Sequence, residues 1–199
     1  MENLTIDLEK DQTIYFTSDL HFNHRNMIGF CNRPYKDIKE MNEGIIDSWN
    51  DTVTDNDIVF ILGDVNWFDD GHITKKLLSQ LNGKHIYIVP GNHDNVKKVF
   101  RLLDSRFTVL SDITHLFIVD LELKKQYKYV LSHYPLLTWA GRNRGAINLF
   151  GHIHSQEGKT EGFDQDLNLY PNQHYDVGVD LNNYKPIAYT FINNKLNNI

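Results

Sequence analysis

The sequence predicts an α/β fold in which two mixed β-sheets pack together and are flanked by helices. Three observations carry this. Short β-branched and aromatic runs alternate with amphipathic helical stripes through the first half, the pattern of crossover units and parallel pairing. From Phe107 onward strand-like runs follow one another across short polar breaks such as Lys124-Lys125-Gln126, which suggests hairpins and antiparallel pairing. At 199 residues, 41% hydrophobic and 23% charged, the chain has the size and composition of one ordinary globular domain, expected to span 1–199.

The elements follow in order. Thr13-Ile14-Tyr15-Phe16-Thr17 reads as a buried strand. A helix is predicted over 37–49, where Ile38, Met41, Ile45 and Trp49 share a face and Asp37 can cap, with Glu40 three residues on. Ile58-Val59-Phe60-Ile61-Leu62 is the second strand. Ile73, Leu77, Leu78 and Leu81 form a helical stripe, and His85-Ile86-Tyr87-Ile88-Val89 the third strand. Val96, Val99, Phe100 and Leu103 form another stripe, opened by Asp94 and Asn95. Tyr127-Lys128-Tyr129-Val130-Leu131 and Ala146-Ile147-Asn148-Leu149-Phe150 are the fourth and fifth strands, and 175–179 and 187–191 extend the series. The Asn-rich tail, Asn193-Asn194-Lys195-Leu196-Asn197-Asn198, reads as frayed surface.

Composition excludes several classes. The single Cys31 rules out an internal disulfide framework and a thiolate-rich metal site. The opening residues, Met1-Glu2-Asn3-Leu4-Thr5-Ile6-Asp7, lack a secretory pattern, and no apolar run approaches the ~18 residues that span a bilayer. A cytoplasmic protein without membrane association is expected. With 20 Lys and Arg against 26 Asp and Glu the net charge is −6, so stable non-specific nucleic-acid binding is not expected. A small phosphate substrate stays possible, because a bound metal supplies local positive charge. The oligomeric state is not indicated.

Each of the five strands ends in metal-type side chains: Ser18-Asp19-Leu20-His21, Gly63-Asp64, Pro90-Gly91-Asn92-His93-Asp94, Ser132-His133 and Gly151-His152-Ile153-His154. Carboxyl ends of strands line the ligand crevice of open α/β sheets, so five such loops can converge on one point. In Asp19-x-His21 and His152-x-His154, alternation along an extended segment would aim both side chains the same way. Two carboxylates, one amide oxygen and four imidazoles suit Mn, Fe, Zn, Ni or Co rather than a calcium cage. Seven ligands exceed one tetrahedral site and fit two divalent ions sharing a bridge. Two such ions against two carboxylates and one bridging hydroxide leave a positive charge to hold an anion.

This series resembles the calcineurin-like metallophosphoesterase superfamily. The local wording Ser18-Asp19-Leu20-His21-Phe22-x-His24 and Val177-Gly178-Val179-Asp180 is similar to a small bacterial and phage branch without a cap domain. The resemblance implies a four-layer sandwich of two mixed sheets flanked by helices. It implies that Asp19, His21, Asp64 and His154 hold one metal, and that Asp64, bridging, with Asn92, His133 and His152 holds the other. His93 would then face the phosphate and stabilise the transition state or protonate the leaving oxygen, oriented by Asp94, while metal-bound hydroxide attacks phosphorus in line. Manganese is the first expectation. Many members continue Gly-Asp-x-x-Asp, sometimes with Arg; here the run is Gly63-Asp64-Val65-Asn66-Trp67-Phe68, which removes those groups from any substrate argument.

His24 is a candidate phosphate contact or support for the site, with a loop histidine bonded to backbone as the competing reading, and Arg142 and Arg144 are candidate phosphate clamps or a solvated pair. His72, His85, His115 and His174 read as structural. Asp180 and Tyr184 support the site by the branch resemblance, and Asn182-Asn183 reads as a turn. The expected function is hydrolysis of small phosphoesters, diesters including nucleotide ones ahead of monoesters. Two alternatives are a nuclease of the double-strand-break repair type, which the missing basic stretch disfavours, and a non-catalytic scaffold of the same fold, which the full ligand set disfavours.

Overall fold

A computed structural model describes residues 2–67, 71–95, 103–155 and 172–197. Strands β2 (Ile14–Thr17), β3 (Ile58–Ile61), β4 (His85–Ile88) and β5 (Phe107–Val109) pair in parallel, and β10 (Ile187–Ala188) joins β2 antiparallel, giving a sheet ordered β10-β2-β3-β4-β5. The second sheet is ordered β1-β6-β7-β8-β9, from β1 (Glu2–Asp7), β6 (Ile113–Asp120), β7 (Lys125–Ser132), β8 (Ile147–Phe150) and β9 (His174–Asp176). Both sheets are mixed, as the sequence predicts.

Alternation assigns the faces. Ile14, Phe16, Ile58 and Phe60 point to the same core as Leu116, Ile118, Tyr129, Leu131 and Leu149 of the second sheet, so this is the layer between the sheets. Val59, Ile61, Ile86 and Ile88 point the other way, onto Met41, Ile45 and Trp49 of α2 (Ile38–Asn50) and Leu78 of α3 (Gly71–Leu78). The Asp37 side chain caps α2 by accepting from the Glu40 amide at 2.9 Å. On the far side of the second sheet Val130 packs with Trp139 and Ala146. A short helix α1 (Asn26–Phe30) follows the first strand-end loop. Among the described residues no helix is long and apolar enough to cross a membrane.

Four expectations are corrected. The antiparallel region is narrower than predicted: β6 and β7 form a hairpin, but β5 is parallel to β4, and β7, β8 and β9 run parallel. The segments between the last three strands are long enough for crossovers, which turn-sized breaks would not be. The predicted strand over 187–191 ends after two residues and becomes helix α4 (Tyr189–Asn197). The tail is therefore not frayed surface: Tyr189, Ile192 and Leu196 enter the core between the sheets, and the buried Asn193 donates to the Tyr129 hydroxyl. Ile73 is exposed, because Gly71, Thr74 and Leu78 form the inner face of α3. Val96, Val99 and Phe100 of the third stripe, and Phe68, lie outside the described residues; Leu103 packs against the α2 side of the first sheet.

Candidate metal centre

The strand-end loops continue the sheet's pairing beyond the strands. The amides of Asp19, His21 and Phe22 donate to the carbonyls of Gly63, Asp64 and Val65, and the Gly151 amide donates to the His133 carbonyl. Ser18 pairs with Gly178 as an isolated bridge. Five of the predicted ligands have left-handed backbones: Asp19 (φ 58°), His21 (50°), Asp64 (54°), His152 (73°) and His154 (48°). These segments are not extended, so the alternation expected for the two x-spaced pairs does not apply. His152 and His154 instead diverge into two groups.

One group is Asp19, His21 and His154; the other is Asp64, His133 and His152. Asp64 Oδ2 lies between them, 3.4 Å from His21 Nε2 and 3.5 Å from His133 Nε2. Asn92 Oδ1 is 3.0 Å from His133 Nε2, which brings it to the second group. All seven predicted ligands therefore converge. Gly63, at φ 90°, leaves room that a Cβ would take from the His133 ring.

The inward atoms are held open by what happens behind them. His133 Nδ1 donates to the Leu62 carbonyl at 2.8 Å, and His154 Nδ1 donates to Asp180 at 2.8 Å, so each ring turns Nε2 toward the centre. Asp19 Oδ2 accepts from Ser18 Oγ at 2.6 Å and the His152 amide at 2.9 Å. Its other oxygen, Oδ1, and His21 Nε2 are buried without a hydrogen-bond partner. Unpaired buried acceptors are rare because each costs about 1–3 kcal/mol. A divalent cation among these oxygen and nitrogen donors would satisfy them, so the residues fit the metals their chemistry predicts.

Burial and neighbouring charges shift several of these groups strongly. Burial pushes the Asp19 carboxyl up to about 6 and the His21 ring down to about 2. Burial opposes charge on Asp64 as well, but His133 beside it holds that carboxyl at about 2. Burial also opposes charge on His154, and the Asp180 contact outweighs it, raising the ring to about 10.

His93 stands at the rim. Its amide donates to Asp64 Oδ1 at 3.0 Å, and Nε2 faces Asp64 Oδ2 at 3.9 Å. The expected role of Asp94 is corrected: its carboxylate accepts from the amides of Asp64, Val65 and Gly91 at 2.9, 3.0 and 2.9 Å. It clips the second and third loops together and does not orient the His93 ring. His24 Nδ1 faces His21 Nδ1 at 3.2 Å, and its ring stacks on Trp67 at 3.7 Å. Arg142 and Arg144 lie on a 3-10 turn (Arg142–Arg144) between left-handed glycines 141 and 145, outside the two donor groups found among the described residues. His85 bonds Thr108, and His174 donates to the Leu136 carbonyl, as structural histidines do.

Sequence reasoning missed Arg33. Its buried guanidinium grips Asp180 with two bonds of 2.9 Å and donates to the carbonyls of Leu20 and Asp19 at 3.0 and 2.8 Å. It thus ties the first loop to the carboxylate behind His154. Cys31, Asp180 and His154 make a third cluster of donor atoms, in which Asp180 is already committed to Arg33.

The family described as calcineurin-like phosphoesterase matches residues 12–156. An uncharacterized protein of Methanocaldococcus jannaschii is 32% identical over 185 residues, covering 90% of this chain and 88% of that one. The Gene 66 protein of Mycobacterium phage L5 is 25% identical over 167 residues, covering 71% of this chain and 77% of that one. The crystal structure of a protein of unknown function from Aquifex aeolicus superposes with a TM-score of 0.68 at 23% identity, over 93% of this chain and all of that one, a likeness of fold.

Proposed function

Because this chain belongs to the calcineurin-like phosphoesterase family, we propose that it hydrolyses small phosphoesters with two divalent metal ions, diesters including nucleotide ones ahead of monoesters. The supporting observation is the position of Asp64 Oδ2, 3.4 and 3.5 Å from the imidazoles of two separate donor groups. Asp19, His21, Asp64 and His154 would hold one ion, and Asp64, Asn92, His133 and His152 the other, with manganese the proposed metal. Two bound cations supply Lewis acidity toward the phosphoryl oxygens and a water of lowered pKa.

The chain's own residues do the rest. The Leu62 carbonyl and Asp180 fix the tautomers of His133 and His154, leaving Nε2 of each free to ligate. Asp94 locks the loop carrying Asn92 and His93 against the loop carrying Asp64. His93, tied by its amide to Asp64 and facing inward through Nε2, holds a proton for the departing ester oxygen.

Elemental analysis and assay of the Asp64→Ala variant test this reading. Metal content and hydrolysis should be lost together, because removing the shared carboxylate leaves two cations repelling at short range. Two tightly bound ions in the variant would overturn the bridge. In the Mn-loaded wild type, kcat/KM should be higher for bis(4-nitrophenyl) phosphate than for 4-nitrophenyl phosphate. A preference for the monoester reverses the order, and inactivity on both with metal bound favours a binding scaffold.

A further inference from the structure

Among the described residues four aromatic side chains are exposed: Phe30, Trp67, Tyr134 and Phe191. Two of these four lie directly against the imidazoles of the centre, on different sides of it. Trp67 stacks one face on His24 at 3.7 Å and lies 4.6 Å from the His93 ring, yet 41% of it remains open to solvent. Tyr134 packs 4.5 Å from His152 and 5.0 Å from His133, with its hydroxyl donating to Asn92 Oδ1 at 3.3 Å, and is 49% open. Trp67 therefore belongs to the side of His21, His24 and His93, and Tyr134 to the side of His133, His152 and Asn92.

Neither ring is needed to close the core, and both are held in place before any ligand arrives. The Trp67 amide donates to the Phe22 carbonyl at 3.1 Å, so the loop fixes its backbone while His24 fixes its plane. The Tyr134 ring is positioned from both ends, by the imidazoles and by its hydroxyl. Rigid aromatic faces at the mouth of a polar centre bind planar groups at little ordering cost.

We propose that Trp67 and Tyr134 are specificity-determining residues that stack the two arms of the substrate, so that the preferred substrate is a phosphodiester with a planar aromatic or heterocyclic ring on each arm, as in a dinucleotide. This rests on the phosphoesterase reading above. With His93 serving the departing oxygen, the leaving arm lies over Trp67 and the retained arm over Tyr134. An arm that is a simple alkyl group finds no partner on either wall.

The test compares two diesters with the same leaving group, bis(4-nitrophenyl) phosphate and methyl 4-nitrophenyl phosphate, on the Mn-loaded full chain. Tyr134→Leu should lower kcat/KM about tenfold more for the bis-aryl ester than for the methyl ester, the size of one lost stacking contact. Tyr134→Phe should restore the difference, because it keeps the ring and loses only the hydroxyl. Trp67→Leu should weaken both esters by about tenfold, with Trp67→Phe intermediate. Binding gives an independent readout. In the Zn-loaded protein a dinucleoside phosphorothioate should quench tryptophan fluorescence where dimethyl phosphate does not, and Trp67→Leu should abolish the quenching, since Trp49 and Trp139 are buried. Equal losses on both esters in Tyr134→Leu, or no quenching, would overturn the stacking proposal and leave the phosphoesterase reading standing. A metal-loaded wild type inactive on both esters would overturn the phosphoesterase reading and the stacking proposal with it.

Discussion

His93 and Asn92 are chain neighbours with different tasks. Asn92 Oδ1 is drawn into the second donor group at 3.0 Å from His133, whereas His93 keeps a half-open ring and touches Asp64 only through its amide and a 3.9 Å approach. His93→Ala should therefore retain metal while the rate falls by roughly 10²–10⁴ for esters with poor leaving groups. The loss should be much smaller for a nitrophenolate, which departs without a proton. Metal analysis alongside kinetics on both ester types checks this, and an equal loss on both would leave His93 an electrostatic role only. Motif spacing made these residues legible, because ligand identity is carried by residue type at strand ends. The partners behind them were not. Arg33 meets Asp180 across 147 positions of chain, and the Asp94 carboxylate is consumed by backbone amides, whose positions no side-chain pattern reveals.

The strands that deliver the loops were readable element by element, since four-residue runs such as Ile-Val-Phe-Ile in β3 are buried on both faces. Pairing direction was readable only where a helical stripe or a tight break lay between runs. The C-terminal helix was misread for a specific reason. Its inner face, Tyr189, Ile192, Asn193 and Leu196, has helical spacing, but a buried asparagine interrupts the apolar stripe, and the preceding Ile187 and Ala188 do form a strand. Asn193 is buried because it bonds the Tyr129 hydroxyl and the Tyr189 carbonyl, contacts that become visible only after the second sheet is placed. The helix is thus part of the core between the sheets. Ile192→Ala should destabilise the fold by about 2–5 kcal/mol, the usual cost of emptying a fully buried isoleucine site. Urea unfolding measures it; a change below ~1 kcal/mol would show that α4 docks only loosely.

At the scale of the whole chain, a net charge of −6 accompanies a centre that we propose holds an anionic substrate. Long polyanions gain affinity by releasing counterions to clustered Lys and Arg, of which the sequence has no rich stretch, while a short diester feels mainly the local field of the centre. Single-stranded DNA of tens of nucleotides should therefore bind no more tightly than a dinucleotide at low salt. Titrations at about 50 and 200 mM salt should lack the steep fall in affinity of a basic groove; a strong negative salt slope would revive the nuclease alternative. The left-handed backbones of Asp19, His21, Asp64, His152 and His154 reach further than the chemistry. Each L residue held there opposes its own conformational preference by roughly 1–2 kcal/mol, and five together are comparable to the whole margin by which many domains stay folded. Glycine at any of them would relax the chain. A lineage no longer under selection for the reaction would thus gain stability by discarding its ligands, so the centre persists only while its use outweighs that pull, and its decay, once begun, has a preferred direction.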